Sequence, residues 1–395
     1  MMRAKLLTLA ILLGNGLAIA QTASTTSSTA STTSTTAPAT SSAPAALEFD
    51  VGKDGRVLML PVTYKGKTYS FLLDTALTWS GVDKSFMLEL GQPKSIAKVA
   101  TPGGELKLPL YDAPDIRLGP LPLAGGGPIL CEHLRPFRFL LGEPIDGLIG
   151  MSALKGRIVQ IDFDAGKVRL LTAGKPRHDD WGQAHDLIYV DGVPAVRVRV
   201  GDAVTTMILD TGCDGAGYLT AELFEKALAK AKSPTTQTVL YTAAGPRRVR
   251  QARLPALTLG TTSYKGVILS EGRQCVLGLS FLARHTVTLD FVNHKLYLKK
   301  GKAFDRPQQR DMSGLRLFRK DGRTIVHSCE DGSPSAAAGL ARGDVLAKLD
   351  GRDAGKLDLF DIRRILSSQD GREVTLIVRR GDEDRTVTIR LKQRL

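Results

Sequence analysis

Two stretches of this chain repeat each other, and the repeat restricts the fold more than any other feature. Tyr69-Ser70-Phe71-Leu72-Leu73 runs into Asp74-Thr75-Ala76, and Thr205-Thr206-Met207-Ile208-Leu209 runs into Asp210-Thr211-Gly212. Downstream of the first lies Asp146-Gly147-Leu148-Ile149-Gly150-Met151-Ser152-Ala153-Leu154, then Ile161-Asp162-Phe163. Downstream of the second lies Cys275-Val276-Leu277-Gly278-Leu279-Ser280-Phe281-Leu282, then Leu289-Asp290-Phe291. Gly150 and Gly278, Ser152 and Ser280, and Asp162 and Asp290 all stand 128 residues apart, whereas Asp74 and Asp210 stand 136 apart. The difference falls between tripeptide and glycine, where loops absorb length changes cheaply. The chain is an internal duplication of one structural unit.

An aspartate at the end of a buried strand is costly alone, because an ionised carboxylate in apolar surroundings loses several kcal/mol of solvation. Two in matching frames imply a pair that meets, shares a proton and does acid–base chemistry. One Asp-Thr-Gly is ordinary turn chemistry. The inference rests on its recurrence with the downstream glycine segment.

Around each aspartate the pattern is that of antiparallel sheet. The first unit opens with Val57-Leu58-Met59-Leu60-Pro61-Val62 and a turn at Gly66, the second with Ala195-Val196-Arg197-Val198-Arg199-Val200 and a turn at Gly201-Asp202. Such alternation between glycine turns reads as strands. A helix is expected over residues 221–228, and a polar hinge near His178-Asp179-Asp180.

An apolar strand into Asp-Thr-Gly, a glycine-containing hairpin, an apolar-apolar-Gly segment and a final Asp-Phe strand resemble the retropepsin-like aspartic proteases, with two copies here in one chain. The resemblance covers roughly residues 47–300. It implies a mainly β fold, two β-barrel lobes related by a pseudo-twofold axis, and one catalytic aspartate per lobe, Asp74 and Asp210. It also implies supporting roles for Thr75, Ala76, Thr211 and Gly212, with the threonines bracing across to the opposite lobe. Flap hairpins would carry Gly103 and Gly104 in the first lobe and Ala244 and Gly245 in the second. The chain departs from the pattern at Ala76, where glycine is expected, and at Leu77 and Cys213, where a hydroxyl often steadies the carboxylates. Fewer hydrogen bonds to the charged dyad imply apparent pKa values above those of pepsin-like enzymes.

From Asp311 the character changes. Ser313-Gly314-Leu315-Arg316-Leu317, Asp331-Gly332-Ser333-Pro334-Ser335-Ala336-Ala337-Ala338-Gly339-Leu340, Gly343-Asp344-Val345-Leu346 and Leu349-Asp350-Gly351 are similar to a bacterial α+β PDZ domain. A helix over 357–366 with Leu359, Ile362, Ile365 and Leu366 on one face, then a hairpin around Gly381-Asp382, completes the pattern. The resemblance implies that a peptide adds as a strand beside the sheet edge. The carboxylate-binding loop would be Gly314, Leu315, Arg316 and Leu317.

The organisation expected is a signal peptide at 1–20, a Ser/Thr/Ala/Pro linker at 21–46, lobes at 47–175 and 185–301, and a PDZ domain at 311–395. Arg3 and Lys5, the apolar stretch from Leu6 to Leu13, and Ala18-Ile19-Ala20 form the export pattern. Export makes the protein periplasmic or secreted. That stretch is too short to cross a membrane, which takes about 20 residues. The linker has no apolar periodicity and cannot bury a core.

The net charge of +14 is scattered. Runs such as Arg247-Arg248-Val249-Arg250 lack interleaved aromatics, so nucleic acid is not an expected partner. Ser280 lacks the last glycine of a nucleophile elbow. The six histidines show no His-Glu-x-x-His spacing. No cofactor or metal is expected. Cys131, Cys213, Cys275 and Cys329 allow three pairings; Cys213 and Cys275 flank core motifs of the second unit, leaving a bond between them and free buried thiols both open. The resulting expectation is a monomeric, exported aspartic endopeptidase acting on peptides or unfolded proteins, with a PDZ domain that binds peptide termini. The alternative is a catalytically inactive peptide-binding scaffold of the same fold.

Overall fold

The computed structural model describes residues 46–101, 104–171, 179–231 and 233–395. The expected signal peptide, nearly all of the linker, Gly103 and His178 lie outside the described residues. Ala46, assigned to the linker, already belongs to the first strand, Ala46–Asp50, because it pairs with Leu171.

The chain is mostly β. A six-stranded sheet joins the two lobes, in the order Ala46–Asp50, Lys167–Leu171, Ile158–Asp162, His285–Asp290, Lys295–Lys300, Gln183–Asp186. Three strands come from each lobe, and the seam between Ile158–Asp162 and His285–Asp290 shows how they are related. Ile158 faces Asp290 and Asp162 faces Thr286, so each pair is the other carried forward by the 128-residue repeat. At the centre Gln160 meets its own counterpart, Thr288, and donates to its hydroxyl from Nε2 at 3.1 Å. Such a register is the signature of a twofold axis through this pair.

Each lobe then has its own large sheet, nine strands in the first and eight in the second. The strand Lys67–Leu73 runs antiparallel to Met59–Tyr64, as the alternating pattern predicts. On its other side, however, it pairs in parallel with Gly147–Ile149, and in the second lobe Ala203–Asp210 pairs in parallel with Val276–Gly278. The antiparallel hairpins read from the sequence are present in both lobes, and the parallel neighbours are an addition to them. The ends of these strands, Phe71-Leu72-Leu73 and Met207-Ile208-Leu209, are buried on both faces, which is the condition of a strand central to a covered sheet.

One continuous core runs through both lobes, uniting Leu60, Phe71 and Val82 with Val198, Ile208 and Phe224. Each such side chain contributes about 1.5–3 kcal/mol through burial. The helix Ala221–Ala231 reaches past its expected end and turns Leu223, Phe224 and Ala227 onto this core, with Glu222 and Lys226 paired outside at 2.6 Å.

The PDZ region has a separate core. Its sheet runs Leu315–Lys320, Arg323–Cys329, Val345–Leu349, Glu373–Arg380, Glu383–Arg390, which leaves Leu315–Lys320 at an edge. The helix Leu359–Leu366 starts where the Asp358 carboxylate accepts from the Asp361 N–H at 2.7 Å, an ordinary N-cap. Leu359, Ile362 and Leu366 of the expected apolar face are buried. No helix among the described residues is long and apolar enough to cross a membrane. All four cysteines are free.

Candidate active site

The two aspartates stand at the ends of equivalent strands. The Asp74 N–H donates to Ile149 O at 3.0 Å, and Asp210 sits opposite Gly278 in the parallel register. The following turns are braced against each other. Thr75 Oγ1 donates to Leu209 O at 2.7 Å and accepts from the Thr211 N–H at 3.1 Å. Thr211 Oγ1 donates to Leu73 O at 2.8 Å and accepts from the Thr75 N–H at 3.1 Å. Of these four buried hydrogen bonds two tie a turn to the other lobe's strand and two tie the turns to each other, each about 0.5–1.5 kcal/mol net and costlier to break than to omit.

Two glycines let the turns sit this close. A Cβ on Gly150 would lie 2.6 Å from Trp79 O and 2.7 Å from Leu77 O; on Gly278 it would lie 2.3 Å from Gly215 O. Both are backbone contacts that cannot yield. Met151 and Leu279 then donate their N–H groups to Leu77 O (2.7 Å) and Cys213 O (2.6 Å), so each glycine segment is stitched to the aspartate loop of its own lobe.

Both carboxylates are fully buried, at 0% exposure. Their surroundings differ in a way the repeat does not predict. Asp210 Oδ1 accepts two backbone N–H groups, Gly212 at 2.9 Å and Cys213 at 3.0 Å. Asp74 Oδ1 accepts only one from the following turn, Ala76 at 2.9 Å. The Oδ2 atoms of both are buried and make no hydrogen bond. Burial raises the Asp74 carboxyl well above the usual carboxylate range, and the charge of Asp210 adds to it. Burial also raises Asp210, but its two N–H donors pull the other way. The two groups therefore sense one another, with Asp210 the better stabilised anion.

Ala76 is accommodated: its methyl is buried in the shared core, and its N–H still reaches Asp74. Leu77 packs in an apolar cluster with Val99 and Leu108, and Ala243, in the turn of the second hairpin, packs against that cluster. The hairpins themselves close with similar hydroxyl contacts. Thr101 Oγ1 donates to Gly104 O at 2.7 Å, Thr242 Oγ1 donates to Gly245 O at 2.8 Å, and the Ala244 N–H donates to Thr242 Oγ1 at 3.1 Å.

Other residues at the site were not singled out from sequence. Ser80 lies in the first aspartate loop, with its Oγ 3.0 Å from Ser152 Oγ, and accepts the Gly150 N–H at 3.1 Å. Asp214, four residues past Asp210, is pushed up to about 6 by burial, opposed by Arg363 and Arg316 of the PDZ region. Its place inside the duplicated loop was the available signal; the arginines, a hundred or more residues away, gave none. Among the described residues no cluster of three His, Cys, Asp or Glu side chains suits a metal ion.

At the predicted carboxylate-binding loop, the Gly314 N–H donates to Asp311 Oδ1 at 2.6 Å and the Leu315 N–H to Ser313 Oγ at 3.0 Å. Leu315, Arg316 and Leu317 lie in the edge strand itself, so of the expected loop residues Gly314 alone precedes it.

Two protein families match parts of the chain. The aspartyl protease family matches twice, over residues 60–153 and 196–281, and the PDZ domain family matches residues 310–391. No curated protein matches the chain. Among solved structures, the photosystem II D1 C-terminal processing protease shares 21% identity over 24% of this chain and 26% of its own, with a TM-score of 0.21, too low to bear on the fold.

Proposed function

We propose, on the premise that this chain is two aspartyl-protease segments in tandem followed by a PDZ domain, that it is an aspartic endopeptidase working through Asp74 and Asp210. The observation that carries this reading is the pair of buried, unpartnered Oδ2 oxygens on carboxylates whose Oδ1 atoms are fixed by backbone N–H groups. Such oxygens are costly to bury without a partner, and a shared proton and a bound water are the partners that offset that cost.

The asymmetry of donors supports a division of roles. Asp210, with two N–H groups, carries the negative charge and takes a proton from the attacking water. Asp74, with one, holds its proton and donates it to the oxygen of the scissile carbonyl. The water oxygen bonds to the carbonyl carbon, giving a neutral diol. The proton on Asp210 then passes to the departing nitrogen, Asp74 recovers a proton from the diol, and the C–N bond breaks. The hairpins around Gly104 and Gly245 would hold an extended peptide by main-chain hydrogen bonds and exclude water. Substrates are peptides or unfolded proteins, and the PDZ domain binds peptide termini. The basic, apolar, small-residue start of the chain supports export to the periplasm or beyond.

The test is cleavage of a denatured protein by wild type, Asp74→Asn and Asp210→Asn. Cleavage only by wild type is expected. Equal cleavage by all three would sink the dyad, and peptide binding by wild type without any cleavage would favour an inactive scaffold.

A further inference from the structure

The edge strand of the PDZ domain is not open. Leu315–Lys320 pairs on one side with Arg323–Cys329. The Val326 N–H donates to Asp344 O, so Leu317 O is left facing away from that neighbour. An added peptide strand needs carbonyls of this kind. Leu317 O is instead held by Arg363 Nη2, at 3.3 Å, and the same nitrogen donates to Leu140 O at the end of the helix Arg135–Leu141 of the first lobe.

That helix packs against the edge strand, with the rings of Phe139 and Phe318 6.2 Å apart. Just beyond it, an ideal Cβ on Gly142 would stand 3.4 Å from Leu359 Cβ, at the start of the PDZ helix. Arg56 of the first lobe pairs with Asp358 and, at 3.0 Å, with Asp361, and lies 4.7 Å over the ring of Phe360. The loop expected to capture a terminal carboxylate already holds a side-chain carboxylate, that of Asp311.

The clamping helix belongs to the length difference between the lobes. Fourteen residues separate Glu132 from Gly147 in the first lobe, and three separate Gly272 from Val276 at the equivalent place in the second. On the second-lobe side the PDZ domain also leans on the flap strand Thr235–Thr242: Arg316 bonds Thr238, and His327 stacks edge-on with Tyr241 at 5.5 Å. Between them lies a cavity of about 280 Å³ bounded by Asp214, Tyr218, Tyr241, Arg316 and Arg363. It sits between the second aspartate loop and its flap strand.

We propose that the first lobe holds the PDZ peptide groove shut, and that a peptide with a free terminal carboxylate opens it by displacing the Arg135–Leu141 helix and Asp311. Opening withdraws the PDZ wall from the second-lobe end of the cleft. The groove half of this proposal stands without the peptidase reading; the cleft half rests on it.

The test locks the contact. Gly142→Cys with Leu359→Cys, in a Cys329→Ser background, brings two thiols to disulfide distance. The probe is a fluorescent pool of decapeptides with randomised last four residues, with a carboxylate or an amide end, read by anisotropy on the full chain. The oxidised protein is expected to bind neither pool, and reduction to restore binding of the carboxylate pool alone. A second variant, Arg363→Met, leaves the PDZ core untouched and is expected to bind the carboxylate pool at least about tenfold more tightly than wild type, since a closed fraction lowers apparent affinity in proportion. Equal binding by oxidised and reduced protein, or no gain in Arg363→Met, overturns the proposal. Cleavage of an unfolded protein, followed in parallel, should slow on oxidation; a change in binding with cleavage unaffected overturns the cleft half alone, and an inactive wild type leaves the anisotropy result standing.

Discussion

Gly212 lies directly against Asp74: a Cβ built on it would stand 2.7 Å from both Cγ and Oδ2 of that carboxylate. The residue after one threonine thus forms the wall beside the opposite aspartate, and the two aspartate turns are one packing unit. Gly212→Ala is expected to force the carboxylates apart, at about 1–3 kcal/mol of stability and about 100-fold in kcat/KM, the penalty of a 1 Å misplacement. Ala76→Gly, which only removes a tolerated methyl, should change kcat/KM by less than about tenfold. Steady-state kinetics on one peptide substrate checks both.

The threonine brace should behave as a coupled unit. Thr75→Val removes the donor to Leu209 O and the acceptor of the Thr211 N–H, leaving two buried groups unsatisfied at about 1–3 kcal/mol each. Thr211→Val does the same in mirror image. Because each hydroxyl accepts from the other threonine's N–H, loosening one turn weakens the other's bonds, and the double variant should lose less than the sum of the singles. Denaturant midpoints at constant m-value measure this.

The raised dyad sets the pH dependence of stability. Burial raises both carboxyls above their unfolded values, so the native state holds protons that the unfolded state has released. The stability gained from the neutral forms is complete below the unfolded pKa, about 4, and is lost as pH rises through the folded values. Asp74→Asn and Asp210→Asn should therefore melt at higher temperature than wild type at pH 7, with the difference vanishing near pH 4. Melting curves at the two pH values decide it. A wild type that grows more stable from pH 4 to 7 relative to these variants would contradict the assignment.

The same shifts act on the rate. The acidic limb of the pH–rate profile should lie above the ordinary carboxylate range, because in the proposed mechanism Asp210 ionises to accept the water's proton while Asp74 keeps its own. An optimum near pH 2–3 would count against this.

Gly278→Ala places a methyl 2.3 Å from Gly215 O, with no flexible side chain to give way. Loss of soluble protein, or destabilisation of about 3 kcal/mol or more, is expected. Circular dichroism melts set beside Gly322→Ala, a turn glycine with no atom near its Cβ position, separate this clash from a general glycine effect.

Much of this arrangement was legible from residue order. Duplication is a property of order: matching frames at Asp74 and Asp210, and glycines 128 residues apart, state that two like units exist and that their acids are equivalent. The apolar face of the helix over 359–366 followed from periodicity. Parallel pairing beside the aspartates did not, because a strand buried on both faces carries no alternation to read. Nor did the unequal hydrogen bonding of the two carboxylates: Leu77 and Cys213 occupy like positions in the repeat, yet the Leu77 N–H donates to the Asp74 backbone carbonyl and the Cys213 N–H to the Asp210 carboxylate.

By itself the sequence determined the number of units, their kinship and the acid each brings, since covalent order and local patterning carry those. Tertiary structure alone decided which acid is the better anion, which glycine abuts which carboxylate, and that Arg363 joins Leu140 to Leu317 across 223 and 46 residues of chain. Contacts of that kind depend on distances between packed surfaces, which no spacing along the chain encodes.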